Sequence, residues 1–276
     1  MTPLKTLVLG ILVGAAGATA GAGVSDEEEE ATGKADDGPV SRTCTGLPSQ
    51  AALKRVLTFA RNQANGGFNL DMWATVVNRD GVVCAVAFTG FDRGDQWPGS
   101  RVISAQKANT ANAFSLPGLA LSTANLYSAV QPGGSLYGLQ HSNPIDTHVA
   151  YHGPATDFGT SNDPMLGHRI GGVNVFGGGL ALYAAYNGTR VLIGALGVSG
   201  DSSCADHNIA WQTRHALNLD HVPPGVSGDA ARPDNIVYDI TPQPGQQPGI
   251  SASGWGHPLC SSSATAIASA LPATRP

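Results

Sequence analysis

The chain has 276 residues, 42% apolar and 13% charged, with a formal net charge of −5. That size and apolar content suit one globular domain with a core and extensions. The acidic balance and the lack of any Lys/Arg cluster exclude a general nucleic-acid binder, which shows a basic face.

The N-terminus carries the three parts of a secretory signal: Lys5, the apolar run Leu7–Val13, and Ala18-Thr19-Ala20 before Gly21. Residues 1–20 are therefore expected to be cleaved. The mature protein is expected to be exported, to a periplasm or outside the cell. The apolar run is too short for a membrane span, and no second run follows. Residues 21–43 hold Asp26-Glu27-Glu28-Glu29-Glu30 and then Gly, Lys, Asp, Gly and Pro. They read as an acidic linker without fixed structure.

Four cysteines remain: Cys44, Cys84, Cys204 and Cys260. In an oxidising compartment an even count points to two disulfides, with three possible pairings. Cys204 opens the last expected helix and Cys260 lies in the tail beyond it. That pair would staple the tail down and leave Cys44 with Cys84. No CxxC or CxxCH occurs, so neither a zinc ribbon nor covalently attached haem is supported.

The folded part is expected over 44–219, with a loop-rich extension over 220–276. Pro48–Asn65 reads as a helix with Leu53, Val56, Leu57 and Ala60 on one stripe and Gly66-Gly67 as its stop. Met72–Asn78 and Val82–Thr89 read as strands across Arg79-Asp80-Gly81. Ser100–Phe114 is an Ala-rich helix that Pro117 ends, and a short helix is expected within Leu119–Val130. Residues 131–169 form a long connection rich in Gly, Pro, His and Asn, and such a loop in a compact domain is usually functional or ordered. Arg169–Val175 is expected to enter the sheet.

Leu180–Tyr186 and Leu192–Ser199 flank Asn187-Gly188, the strongest short-range hairpin signal, because both central residues of a type I′ turn need φ > 0. Glycines in the second strand mark close approach of a neighbour. Ser199-Gly200-Asp201 turns sharply, and Ser202 or Ser203 caps a helix over about Ala205–Leu219. Hairpins with helices gathered elsewhere argue an α+β fold with a mainly antiparallel sheet.

Three blocks together resemble the GlcG/HbpS family of haem-binding proteins, whose domain also occurs at the C-terminus of some cobalamin adenosyltransferases. The first is Val77-Asn78-Arg79-Asp80-Gly81-Val82-Val83 with Phe91-Asp92. The second is Pro98-Gly99-Ser100 followed by Ala105-Gln106-Lys107-Ala108, Thr110-Ala111 and Phe114. The third is Gly171-Gly172-Val173 with Ile193–Gly200 and Asp206. The resemblance implies a five-stranded antiparallel sheet with helices packed on it, often in an oligomer. It also implies haem or iron handling, frequently after export. The chain departs from that pattern at Asn78, in a longer His-rich 131–168 segment, and in the tail after Asp220.

Haem requires an apolar slot, one or two axial donors, and cations for its propionates. His207, Trp211 and Arg214, with His215, recur at i, i+4 and i+7/8 on one helix face. An imidazole, an indole and a guanidinium there offer iron ligation, stacking and propionate pairing. His141, at the start of the long connection, and His207 are the leading iron ligands. His152, His257, Trp211 and Arg214 complete the candidate haem contacts. His148 and His152 have a spacing that chelates a divalent metal on a helix, though Gly153-Pro154 argues against a helix there.

Ser199 is not a hydrolase elbow, because Asp201 stands where G-x-S-x-G needs glycine. Lys107 is either an activated amine or a snorkelling side chain. Phe91, Trp97 and Tyr137 are candidate pocket aromatics. The expected function is an exported, homo-oligomeric binder of haem or a related tetrapyrrole, in iron or haem handling or redox-stress protection. Two alternatives stand beside it. One is a lyase, isomerase or hydrolase using the Ser199–Asp206 turn with Lys107 or His207. The other is an oligomeric interaction module.

Overall fold

A computed structural model describes residues 43–276. The signal segment, and all but the last residue of the expected linker, lie outside the described residues. Helix α1 (Gln50–Arg61) starts at Ser49, whose hydroxyl accepts the Ala52 N–H, and it buries Leu53, Leu57 and Ala60. It ends four residues short of the expected Asn65.

Strands β1 (Trp73–Asn78) and β2 (Val83–Phe88) follow as an antiparallel pair. Their turn is closed by Asn78, whose side-chain oxygen accepts the Asp80 and Val82 N–H groups at 2.9 Å. Asn side chains stabilise turns by this local bonding. Helix α2 spans Ser100–Phe114. The expected helix within Leu119–Val130 is two 3₁₀ turns, Thr123–Leu126 and Ser128–Val130.

The long connection is ordered. It contains short helices α3 (Leu139–Ser142) and α4 (Thr147–Ala150) and a 3₁₀ turn at Ala155–Asp157. The hairpin of β3 (Gly179–Tyr186) and β4 (Thr189–Ser199) turns at Asn187 (φ 50°) and Gly188 (φ 76°), as the dipeptide demands. Helix α5 (Ser203–Ala216) has Ser202 as its cap.

The sheet has four strands in the order β2-β1-β4-β3, every neighbouring pair antiparallel. Among the described residues the fifth strand implied by the resemblance does not join it. Arg169–Val175 contributes only isolated bridges, Arg169 to Val82 and Gly171 to Ile145. Gly171 and Gly172 take positive φ there, which breaks an extended run.

Both faces of the sheet are covered, and β1 records this by alternation. Ala74 and Val76 join the core under α1 and α5, while Trp73 and Val77 join the core under α2. Gly197 of β4 lies directly beneath α2. A Cβ there would strike the Ser104 carbonyl oxygen and the Ala108 amide. The absent side chain is what lets helix and strand approach.

The tail is more regular than its composition suggested. It forms a separate hairpin, β5 (Ile240–Gln243) with β6 (Gln246–Ser251), and a helix α6 (Ser262–Ser269) whose Ala264 and Ala268 enter the main core. The disulfides are Cys44–Cys84 and Cys204–Cys260, with Cα separations of 5.7 and 6.0 Å. Among the described residues no helix is long and apolar enough to cross a membrane.

Candidate functional site

The α5 face that carries His207, Trp211 and Arg214 is roofed by the tail. Arg214 makes a bidentate pair with Asp234 at 2.6 and 2.8 Å, donates to the Ala181 carbonyl at 3.2 Å, and lies 4.6 Å from the Trp211 ring centre. Both partners of that pair are fully buried. The indole N–H of Trp211 donates to the Pro272 carbonyl at 3.0 Å.

His207 is fully buried. Its Nε2 lies 3.2 Å from both the Asn235 side-chain oxygen and the Ile236 amide, and among the described residues Nδ1 has no hydrogen-bond partner. Burial holds the ring neutral and its pKa down at about 3. His257 is also buried. Its Nδ1 donates to the Pro258 carbonyl and its Nε2 accepts the Gly177 N–H at 3.3 Å; burial lowers its pKa to about 4. Of the six expected site residues, four therefore hold the tail to the domain.

The other two are surface groups. His141 is exposed in α3 and His152 is exposed just after α4. The structure thus separates the two leading iron ligands, one exposed and one enclosed. Among the described residues no three His, Cys, Asp or Glu side chains gather to hold a metal, His148 with His152 included.

The Ser199–Asp206 turn is occupied by backbone of its own and of the loop after α1. Asp201 accepts the Phe68, Leu70 and Ser202 N–H groups. Lys107 is buried on α2 and pairs with Asp206 at 2.7 Å, with a second bond to the Val198 carbonyl at 3.1 Å. Burial pushes Asp206 up to about 6 against the pull of that ammonium.

An open cleft lies on the α2 face of the sheet. The cleft, of about 450 Å³, is walled by Trp73, Pro98, Val102, Tyr151 and Phe158, with Arg93 among its lining residues. It forms where the loop after β2, the start of α2 and the segment after α4 converge. Its volume is within the range of small-molecule sites. Its outer wall is fixed by Arg101, a buried residue whose guanidinium makes two bonds to Asp163 (2.9 and 2.5 Å) and one to the Ala150 carbonyl (2.7 Å). The guanidinium stacks 3.7 Å from the Phe158 ring centre. Asp163 also accepts the Gly159 and Met165 N–H groups. One ion pair thus sets both Tyr151 and Phe158, through the residue before the first and the ring of the second.

Among the described residues the Arg93 guanidinium has one ion-pair partner, Asp92 at 3.9 Å. A smaller hollow of about 180 Å³ adjoins the cleft and shares Asp92, Arg93 and Phe158 with it; Phe91 lies there. Trp97 and Tyr137 are exposed. Sequence reading missed Arg93, Tyr151 and Phe158. The available signal was aromatic: Tyr151 and Phe158 stand seven apart in a segment otherwise poor in large apolar residues.

The residues present fit haem at this cleft. The walls are apolar and aromatic, and the Tyr151 phenol is an established type of axial donor. The His152 imidazole is its exposed chain neighbour, and the Arg93 guanidinium, held only by a long exposed pair with Asp92, suits a carboxylate. The enclosed His207–His257 region fits it less well, because backbone occupies the space beside both rings: a Cβ on Gly177 would strike the Ser203 carbonyl and His207.

Residues 49–214 match the profile of a family described as haem degrading protein HbpS-like. No curated protein matches the chain. Solved structures similar to it include the PduOC:haem complex, with 25% identity over 61% of this chain and 91% of that one and a TM-score of 0.41. Klebsiella pneumoniae protein ORFY is 26% identical over 61% and 88%, with a TM-score of 0.39. A double mutant of Streptomyces reticuli HbpS is 16% identical over 61% and 83%, with a TM-score of 0.38.

Proposed function

The chain belongs to the HbpS-like family of haem-degrading proteins, and on that premise we propose that it is an exported haem-binding protein that seats the macrocycle in the cleft between α2 and the segment after α4. The observation that carries the reading is the cleft itself: aromatic walls that include the Tyr151 phenol, with His152 next to it in the chain, and a cation at Arg93. Trp73 and Phe158 would flank the ring, Tyr151 or His152 would face the iron, and Arg93 would pair a propionate. Bound haem supplies a redox-active iron and a strong visible chromophore. The protein's own part is to exclude water with its apolar walls and to hold the donor at a fixed distance through the Arg101–Asp163 pair.

Export rests on the secretory pattern of residues 1–20 and accords with the two disulfides. Assembly with copies of itself, and a setting in iron or haem handling or redox-stress protection, follow from the resemblance. Of the six residues expected from sequence, His152 keeps a place in this reading.

A hemin titration of the mature protein tests it. A saturable Soret change is expected. The double variant Tyr151→Phe/His152→Ala should move the band, and Arg93→Ala should weaken binding without moving it. No saturable change would overturn haem binding. A band that the double variant leaves in place would overturn the cleft as its seat.

A further inference from the structure

The turns of both sheet hairpins begin at an asparagine, and the two asparagines are used differently. Asn78 commits its side chain to the β1–β2 turn. Its oxygen accepts the Asp80 and Val82 N–H groups, and its nitrogen donates to the Thr43 carbonyl. Asn187 opens the β3–β4 turn through backbone alone, at φ 50° with Gly188 at φ 76°. Among the described residues neither its carboxamide nor the Thr189 hydroxyl makes a hydrogen bond, and Asn187, Gly188 and Thr189 are all exposed. Asn187-Gly188-Thr189 is also the only Asn-x-Ser/Thr triplet in the chain. That triplet is the acceptor pattern for N-linked oligosaccharide in exported proteins. Asn69 and Asn218 share the left-handed backbone, but each is followed by Leu and Asp.

The surroundings of the tip suit a bulky, hydrated graft. Tyr186 is 51% exposed and Val191 37% exposed on either side of the turn. Strand β3 stands at the edge of the sheet, and natural edges are shielded from pairing with another chain. The tip is also remote from the cleft. Thr189 opens β4, and Ser199 at its far end pairs with Trp73 of the cleft wall. The 11 residues of β4 span about 35 Å, so a graft at the tip leaves the cleft open.

We propose that Asn187 is the acceptor of an N-linked glycan, taken from a polyprenyl-diphosphate oligosaccharide as the chain is exported. The inference rests on the export reading and is independent of haem. The side-chain nitrogen of Asn187 attacks C1 of the reducing-end sugar. The N–C1 bond forms, the C1–O bond to the diphosphate breaks with its electron pair on oxygen, and one amide proton is released. No oxidation state changes. The Thr189 hydroxyl is what tells the triplet from an ordinary Asn-Gly turn. The folded hairpin accommodates the product, because its geometry asks nothing of the Asn187 carboxamide.

The test uses the full chain, with its own residues 1–20, made by the organism that encodes it. Peptide masses are mapped before and after peptide:N-glycosidase in water enriched in heavy oxygen. The peptide across Asn187 is expected to carry hexose and N-acetylhexosamine mass. The enzyme should release that mass and leave a heavy-oxygen aspartate at the position. Thr189→Ala should lose the glycan entirely and Thr189→Ser should keep it, both with native circular dichroism. An exported chain that has shed residues 1–20 and carries wholly unmodified Asn187 would overturn the proposal and leave export standing. A glycan that survives Thr189→Ala would overturn it as well. A chain that keeps residues 1–20 inside the cell would overturn export and the proposal together.

Discussion

Two buried arginine–aspartate pairs stand on helices that cover opposite faces of the sheet, Arg101 on α2 and Arg214 on α5. Arg101–Asp163 and Arg214–Asp234 are both bidentate and enclosed, and each guanidinium stacks on an aromatic ring, Phe158 at 3.7 Å or Trp211 at 4.6 Å. Their surroundings differ. Around Arg214 the tail supplies the Asp234 carboxylate, the Pro272 carbonyl and the Ile236 amide, and the ring, indole and guanidinium become fastenings. Around Arg101 the same kind of pair holds a wall away from the domain and leaves a cleft with a loosely paired Arg93 beside it. Equivalent chemistry makes a closed seam in one place and an opening in the other. The decision lies in what the next segment of chain does.

The largest expected effect compares the two pairs directly. Arg101→Ala and Arg214→Ala each strand a buried carboxylate, so each should lose about 3–5 kcal/mol in urea unfolding. Only Arg101→Ala should also shift the Soret band of the haem complex, because only it sets Tyr151 and Phe158. Equal spectral shifts from the two variants would erase the distinction between seam and cleft.

A second effect belongs to the seam alone. His207 and His257 have folded-state pKa values lowered to about 3 and about 4 from an ordinary 6.5. Below pH 6.5 the unfolded chain takes protons that the folded chain refuses. Each ring therefore contributes stability that is present above pH 6.5 and lost as pH falls toward 4, with a limiting slope of about 1.4 kcal/mol per pH unit per histidine. Asp206, raised to about 6, opposes one of them between pH 6 and 3.8, since there the folded state holds the extra proton. The net expectation is acid destabilisation. Unfolding midpoints from pH 7 to 4.5 should show a shallower fall in His257→Gln. A stability that rises on acidification would contradict the buried, neutral state of both rings.

Trp211→Phe removes the bond to the Pro272 carbonyl and keeps most of the ring. It should cost about 1 kcal/mol and leave the haem spectrum unchanged. A larger cost would mean that the last residues depend on this one anchor.

Much of the fold was legible in local signals. Asn187-Gly188 set the hairpin, Ser202 capped α5, and Ala-rich α2 ended where it was expected to. The glycines of β4 announced a close neighbour, and the cysteine order matched the bonds formed. What was not legible depended on non-local partners. The helical spacing of His207, Trp211 and Arg214 correctly put them on one face, yet spacing carries no information about what covers that face. The covering groups, Asp234, Asn235 and Pro272, stand twenty or more residues away in a segment that reads as loop. The cleft was hidden for the same reason, since Asp163 lies 62 residues from Arg101. Gly171-Gly172 gave a local warning against a fifth strand, in the left-handed backbone that two adjacent glycines permit.

The smallest expected effect is the sharpest probe of the cleft. Arg93 is partly exposed and among the described residues its guanidinium pairs with Asp92 alone, at 3.9 Å, so Arg93→Ala should change stability by no more than about 0.5 kcal/mol. Its role at the rim would be a charge-assisted contact with a propionate, and exposed pairs of this kind are worth up to about 1 kcal/mol. Hemin affinity should therefore fall by roughly fivefold at low salt. The difference from wild type should narrow as ionic strength rises and the Debye length shrinks. Arg93→Lys should recover part of the loss, because a point charge replaces the charge but not the planar fork. An affinity unchanged by Arg93→Ala at low salt would place the propionates elsewhere and reverse the orientation argued for the ring.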